Sequence, residues 1–216
     1  MRWSIINFGT AILASLPTVF AADSAVWQDS ETGFTFSQYA AAYAIGKSLT
    51  FRIAVPSTAT SSAAYDAVLQ ISAPLEVGWT GLAWGGTMVT NPLTVAWANG
   101  NSAVATVRWA TGHVTPNIYS GAQIQVLRTG THTNGTHWQV TLKCTGCTSF
   151  TGSSGKVTIL NPNGANRLAF AYSRTKPSNP SSSSSSFGVH EVTNYWSHDF
   201  SSAGNANFAA LVTKNS

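Results

Sequence analysis

Short apolar runs at every second position, cut by turn residues, constrain this chain to a β fold. Leu49-Thr50-Phe51-Arg52-Ile53-Ala54-Val55 alternates apolar with polar or small residues. So do Tyr65–Ile71, Leu93–Trp97, Val104–Trp109 and Ile124–Leu127. Trp138, Val140 and Leu142 fall on one face of a strand, and His137, Gln139 and Thr141 on the other. Val157–Leu160 and Arg167–Tyr172 extend the set. Pro56-Ser57, Asn99-Gly100-Asn101, Thr129-Gly130, Asn134-Gly135 and Asn161-Pro162-Asn163-Gly164 punctuate it with turn signals. Many short strands at this spacing predict a two-sheet antiparallel sandwich, an all-β class. No long amphipathic helix is present in the pattern. Short helices are expected at 37–45 and at 204–212.

The N-terminus reads as a secretory signal over residues 1–21. Arg2 supplies a positive start, Ile5–Phe20 is mostly apolar and uncharged, and Val19-Phe20-Ala21 fits a small-residue cleavage site. Gly9, Thr10, Ser15 and Pro17 interrupt a stretch already short for a membrane anchor. No later segment is apolar and long enough to span, so the reading is a secreted, extracellular domain over 22–216 with no membrane partner. Charged residues make up only 8% of the chain, and the formal charge of +4 comes from scattered residues. No basic stripe points to nucleic acid.

Cys144 and Cys147 are the only cysteines. A c-type haem attachment needs His after the second Cys, where Thr148 stands. A zinc site needs more ligands than two thiolates. A short-range disulfide in an oxidising compartment is the plainest reading. Asn134-Gly135-Thr136 is an N-glycosylation acceptor, which places that turn at the surface. Pro177–Ser186, with six consecutive serines, has linker composition. Too few residues follow it for a second domain, so a flexible surface loop within one domain is expected.

Met88 is the one methionine outside the signal segment, and it follows two glycines in Trp84-Gly85-Gly86-Thr87-Met88. A lone Met in a β protein is usually core filler. Thioether plus imidazole is also the pair that suits haem iron or Cu(I), and His190 follows the serine-rich stretch. Blue copper needs a thiolate that both cysteines withhold, which leaves haem ahead of copper. No Gly-x-Ser-x-Gly elbow or helical His pair supports a hydrolase. The eight tryptophans allow two readings. They are core, as favoured for Trp97 and Trp109, or an exposed row stacking on sugars in a haem-free carbohydrate-binding module.

Gly78-Trp79-Thr80-Gly81-Leu82-Ala83-Trp84-Gly85-Gly86-Thr87-Met88 resembles the haem-binding segment of the cytochrome domain of fungal cellobiose dehydrogenases. The resemblance continues through Val95-Ala96-Trp97-Ala98-Asn99-Gly100, Arg108-Trp109-Ala110-Thr111-Gly112, Thr136-His137-Trp138 and Lys143-Cys144-Thr145-Gly146-Cys147-Thr148. It ends at Phe187-Gly188-Val189-His190 and the tail Asp199-Phe200-Ser201-Ser202-Ala203. It implies an immunoglobulin-like sandwich of the DOMON and iron reductase type, with a non-covalent haem b at one end. Met88 and His190 would be its axial ligands, and Cys144 and Cys147 would form a disulfide.

The resemblance further implies single-electron transfer from an extracellular flavin dehydrogenase to copper polysaccharide monooxygenases or ferric complexes. No flavin domain follows within the sequence to Ser216. A standalone electron carrier or iron reductase domain is therefore expected, rather than a self-sufficient dehydrogenase. Family members commonly carry Tyr where His113 stands, close to the haem edge. An imidazole can still donate a hydrogen bond to a haem propionate. Arg108 is a candidate partner for a propionate or a partner carboxylate, and Trp97 for packing around the ring.

Overall fold

The computed structural model describes residues 23–216, so the expected signal segment, 1–21, lies outside the described residues. In chain order the strands are β1 (Ala25–Gln28), β2 (Thr35–Ala44), β3 (Lys47–Pro56), β4 (Ala67–Pro74), β5 (Trp79–Ala83), β6 (Leu93–Asn99), β7 (Ser102–Trp109) and β8 (Asn117–Ile118). They continue as β9 (Gln123–Thr133), β10 (His137–Thr145), β11 (Ser149–Thr151), β12 (Val157–Ile159), β13 (Ala165–Ser173), β14 (Val192–Asp199) and β15 (Gly204–Asn205). One helix, α1 (Phe208–Asn215), closes the chain.

Two sheets face each other. The first has the order β1-β2-β3-β4-β10-β9 and the second β14-β13-β5-β6-β7-β8. Pairing within both paths is antiparallel; the short β15 adds a parallel edge to β3. The expected sandwich is the observed one. Its core fills from alternate residues of each strand. Leu49, Phe51 and Ile53 of β3, Leu69 and Ile71 of β4, and Trp138, Val140 and Leu142 of β10 meet Leu82, Trp84, Ala96, Leu168, Phe170 and Trp196 from the second sheet. The other face of the first sheet carries a smaller core, in which Phe34, Phe36, Ala54, Val68 and Leu127 receive Phe208 and Val212 of α1.

Two local expectations change. Residues 37–45 lie in and just past strand β2, not a helix. The alanines there favour a helix intrinsically, but pairing with β3 and burial of Ala41 and Tyr43 outweigh that preference. The C-terminal helix lies later than 204–212, because Gly204 and Asn205 first pair with β3. Asn134-Gly135 forms the turn between β9 and β10, where Gly135 takes a φ of 82°.

Cys144, at the end of β10, is joined to Cys147 by a disulfide, and both are buried. The closed loop is short, so its entropic contribution is modest.

His198 of β14 is fully buried. Its Nδ1 accepts a hydrogen bond from Trp196 Nε1 at 2.8 Å, and its Nε2 donates to the Ser37 carbonyl at 3.1 Å. Both ring nitrogens are used by the neutral imidazole, and burial pushes the pKa down to about 4. The unfolded chain therefore binds this proton more readily than the folded one. Stability is complete above pH ~6.5 and falls as pH drops toward 4, by about 3 kcal/mol in total. Urea unfolding at pH 7 and pH 4.5 should show this loss, and His198→Gln should flatten the slope in that window. An unchanged slope in His198→Gln would reassign the dependence to other groups.

Candidate cofactor site

The outer face of the second sheet is unusually bare of large side chains at its centre. Gly81 and Ala83 of β5 point the same way by strand alternation, as do Leu93 and Val95 of β6 and Ala169 and Ala171 of β13. Register places them in two cross-strand rows. One runs Tyr195–Ala169–Ala83–Leu93, the other Thr193–Ala171–Gly81–Val95. Small residues in the middle of both rows leave a floor on which a flat, apolar group can lie.

Above this floor is a cavity of about 850 Å³. Three loops wall it, and each delivers one residue singled out in the sequence. Met88 comes from the β5–β6 connection, His113 from the β7–β8 connection and His190 from the segment before β14. Met88 and His190 are half-buried, while His113 is exposed at the mouth beside Val114. No Asp, Glu, Lys or Arg is part of the described lining. The Met88 thioether and the imidazoles of His190 and His113 are thus the soft donors on an uncharged, mostly apolar wall.

The Met88 loop is held by a residue that sequence reasoning missed. Asn91 is buried; its Oδ1 accepts from Gly85 N at 2.8 Å, and its Nδ2 donates to the carbonyls of Thr87 at 2.8 Å and Val89 at 3.2 Å. Trp84 N donates to the Pro92 carbonyl and closes the loop at its base. Gly86 adopts φ 71° and lies so close to Arg167 that a Cβ there would collide with it. The pair Gly85-Gly86 therefore answers a packing need. The Asn91-Pro92 dipeptide was the available signal for a structured turn.

His190 hangs between two fixed points. After it, Glu191 N donates to the Tyr172 carbonyl at 2.7 Å, and Glu191 Oε1 accepts from Arg174 N, also at 2.7 Å. Before it, Phe187 packs on Trp79, with ring centroids 4.8 Å apart. Trp79 itself lines the cavity, and its buried Nε1 has no hydrogen-bond partner among the described residues.

Arg108 and Trp97 do not line the cavity. Both lie on the same outer face, beneath the serine-rich segment. Arg108 Nη2 donates to the carbonyls of Ser183 and Ser185, and Trp97 Nε1 donates to the Pro180 carbonyl. Asn134 is exposed at its turn, away from the cavity.

The described tryptophans form no exposed row. Trp79, Trp84, Trp97, Trp138 and Trp196 are buried, Trp109 stacks on Tyr119, and Arg52 sits over the exposed Trp27. A sugar-stacking face thus lacks its main requirement among these residues.

The lining suits a haem by the chemistry of its donors and by its shape. Methionine sulfur and histidine nitrogen are haem-iron ligands, and the Gly81/Ala83/Ala169/Ala171 floor accommodates a planar macrocycle. A model of the family described as the cytochrome domain of cellobiose dehydrogenase matches residues 27–210. A pyrroloquinoline quinone-dependent pyranose dehydrogenase of Coprinopsis cinerea is 32% identical over 178 residues. That match covers 82% of this chain but only 24% of the relative. The crystal structure of the cytochrome b domain of pyranose dehydrogenase from the same fungus aligns with a TM-score of 0.76 at 29% identity. It covers 90% of this chain and 96% of that one. The cytochrome domain of Myriococcum thermophilum cellobiose dehydrogenase aligns with a TM-score of 0.79 over 91% of this chain and 98% of that one. At 20% identity this last match establishes a shared fold.

Proposed function

This chain belongs to the family of cellobiose dehydrogenase cytochrome domains, and from that membership we propose that it binds a b-type haem between Met88 and His190 and carries single electrons. The observation that carries the reading is the meeting of Met88 and His190, from two separate loops, at one uncharged cavity over a floor of small residues. The haem supplies the one-electron couple. The protein supplies two ligands, excludes charge from the lining, and leaves one edge open at His113 and Val114. Thioether ligation raises the potential relative to nitrogen or thiolate donors, and loops anchored by Asn91 and Glu191 limit reorganisation when charge changes. With Met88 and His190 both holding the haem, no site would be left for oxygen or substrate, and electrons would pass through a small and transient contact.

The donor in this reading is a sugar-oxidising dehydrogenase. Similarity to a pyrroloquinoline quinone-dependent pyranose dehydrogenase widens the donor class from flavin to quinone cofactors. The acceptor is a copper polysaccharide monooxygenase or a ferric complex. Secretion through residues 1–21 and glycan attachment at Asn134 belong to the same reading. Stopped-flow mixing tests it. A dehydrogenase supplied with its sugar should reduce the haem-loaded chain, and a ferric complex should reoxidise it, with one electron per chain. Failure of every donor and acceptor to exchange an electron with a low-spin haem protein would overturn the carrier role.

A further inference from the structure

The serine-rich segment is built as a clamped strap. Ser178 N donates to the Ser186 carbonyl and closes its base. Inside, Ser182 N donates to the Asn179 carbonyl, Ser185 N to the Ser182 carbonyl, and Asn179 N to the buried Ser185 Oγ. Arg108 and Trp97 grip it from below. Neither touches the cavity, yet the carbonyls they bond lie five to ten residues from His190. We infer that Arg108 and Trp97 are positioning residues that fix His190 as a ligand by clamping this strap to the outer face of the second sheet. The inference rests on the reading of His190 as an axial ligand.

Three observations carry it. Arg108 is 5% exposed and has no carboxylate partner among the described residues. A buried cation is costly unless its hydrogen bonds are well made. Here Nη2 donates to two strap carbonyls, at 2.8 and 2.9 Å, while the buried Nε has no partner among the described residues, so the strap carbonyls are the hydrogen bonds that hold this cation. Its guanidinium also lies over Phe187, 5.4 Å from the ring centroid, and Phe187 contacts Trp79 as well. The clamp thus reaches the first residue after the strap. Only Gly188 and Val189 separate Phe187 from His190, and Glu191 is fixed on the far side. Without the clamp, His190 would sit at the end of a long free segment with far more conformations to lose.

The same geometry accounts for the low-complexity sequence. Arg108 and Trp97 read backbone carbonyls, so their grip does not depend on the identity of the strap side chains, which bond mainly to one another. Among the described residues, the exposed Ser183 makes no side-chain hydrogen bond and the exposed Ser184 only one, to Ser182 Oγ at the surface, so both can change, whereas the buried Ser185 is tied into the turn.

The test uses the full chain with and without haem, as wild type, Arg108→Met, Arg108→Lys, Trp97→Phe and the control Ser183→Ala/Ser184→Ala. In the haem-free chain, hydrogen exchange at Ser178 and Glu191 should accelerate in Arg108→Met and Trp97→Phe but not in the control. In the haem-loaded chain both should show a high-spin fraction and release haem about tenfold faster. Added imidazole should restore the low-spin spectrum, because it replaces a displaced His190; general destabilisation would not respond. Arg108→Lys should fall short of wild type, since one ammonium cannot reproduce the planar donor fork. If Arg108→Met does not fold, Trp97→Phe carries the test, as it deletes one hydrogen bond and retains most of the packing. Unchanged exchange, or faster exchange with wild-type spectra and haem release, overturns the inference. A wild-type chain with low-spin haem that persists in His190→Ala removes the ligand assignment, and the inference falls with it.

Discussion

Met88→Ala and His190→Ala should each convert a six-coordinate, low-spin haem into a five-coordinate or water-ligated one. The two variants differ in kind. Met88 sits on a loop whose shape is set by Asn91 and by the Trp84–Pro92 closure, so losing the thioether leaves the wall standing. That variant should retain haem, lose the thioether's stabilisation of the ferrous state and show a lower potential. His190 supplies the imidazole from a segment pinned at Phe187 and Glu191. Its loss should weaken retention as well, by one to two orders of magnitude in affinity. Exogenous imidazole should rebind in His190→Ala. Absorption spectra and haem transfer to an acceptor protein read both effects. Unaltered low-spin bands in both variants would mean that other residues hold the iron.

Trp84→Ala should be the most destabilising single truncation near the site. The indole is fully buried in the core between the sheets, and Nε1 donates to the buried Thr94 Oγ1 at 2.9 Å. Truncation leaves a large cavity and an orphaned hydroxyl, at a cost of about 3–5 kcal/mol. That is a large part of the ~5–15 kcal/mol that stabilises a typical domain. A melting-point loss of roughly 10 °C follows for a chain of this size. Trp84 is also the residue from which the Met88 loop departs, so the haem-bound form should suffer with the fold. Trp84→Phe keeps most of the volume and should cost about 1–2 kcal/mol. Urea melts of the three proteins separate these outcomes, and equal midpoints would show that the core repacks around the missing ring.

Strands β3, β7 and β10 were legible because an apolar residue at every second position marks the face turned to the core, whatever covers the other face. Segment β5 carries no such mark. All five of its residues are buried, with Leu82 in the core and Gly81 under the cavity, so no alternation of apolar and polar residues marks it as a strand. Strand β2 was misread because Ala40-Ala41-Ala42 suits a helix until β3 is beside it. Met88, His113 and His190 were singled out by residue type and motif, and the fold gathers all three at one cavity. The alternation Gly81-x-Ala83 and Ala169-x-Ala171 was present in the sequence, but its meaning depends on a register that pairs Ala169 with Ala83 and Ala171 with Gly81. The strap was least legible. Its order comes from Trp97 and Arg108, 83 and 75 or more positions away in the chain, and serine composition alone indicates flexibility.

The cytochrome assignment stands on one direct measurement, the absorption spectrum of the purified chain, oxidised and then reduced. A red protein with the sharp bands of a low-spin, six-coordinate b-type haem in both states is the expected result. A colourless chain that fails to take up added haemin would contradict it.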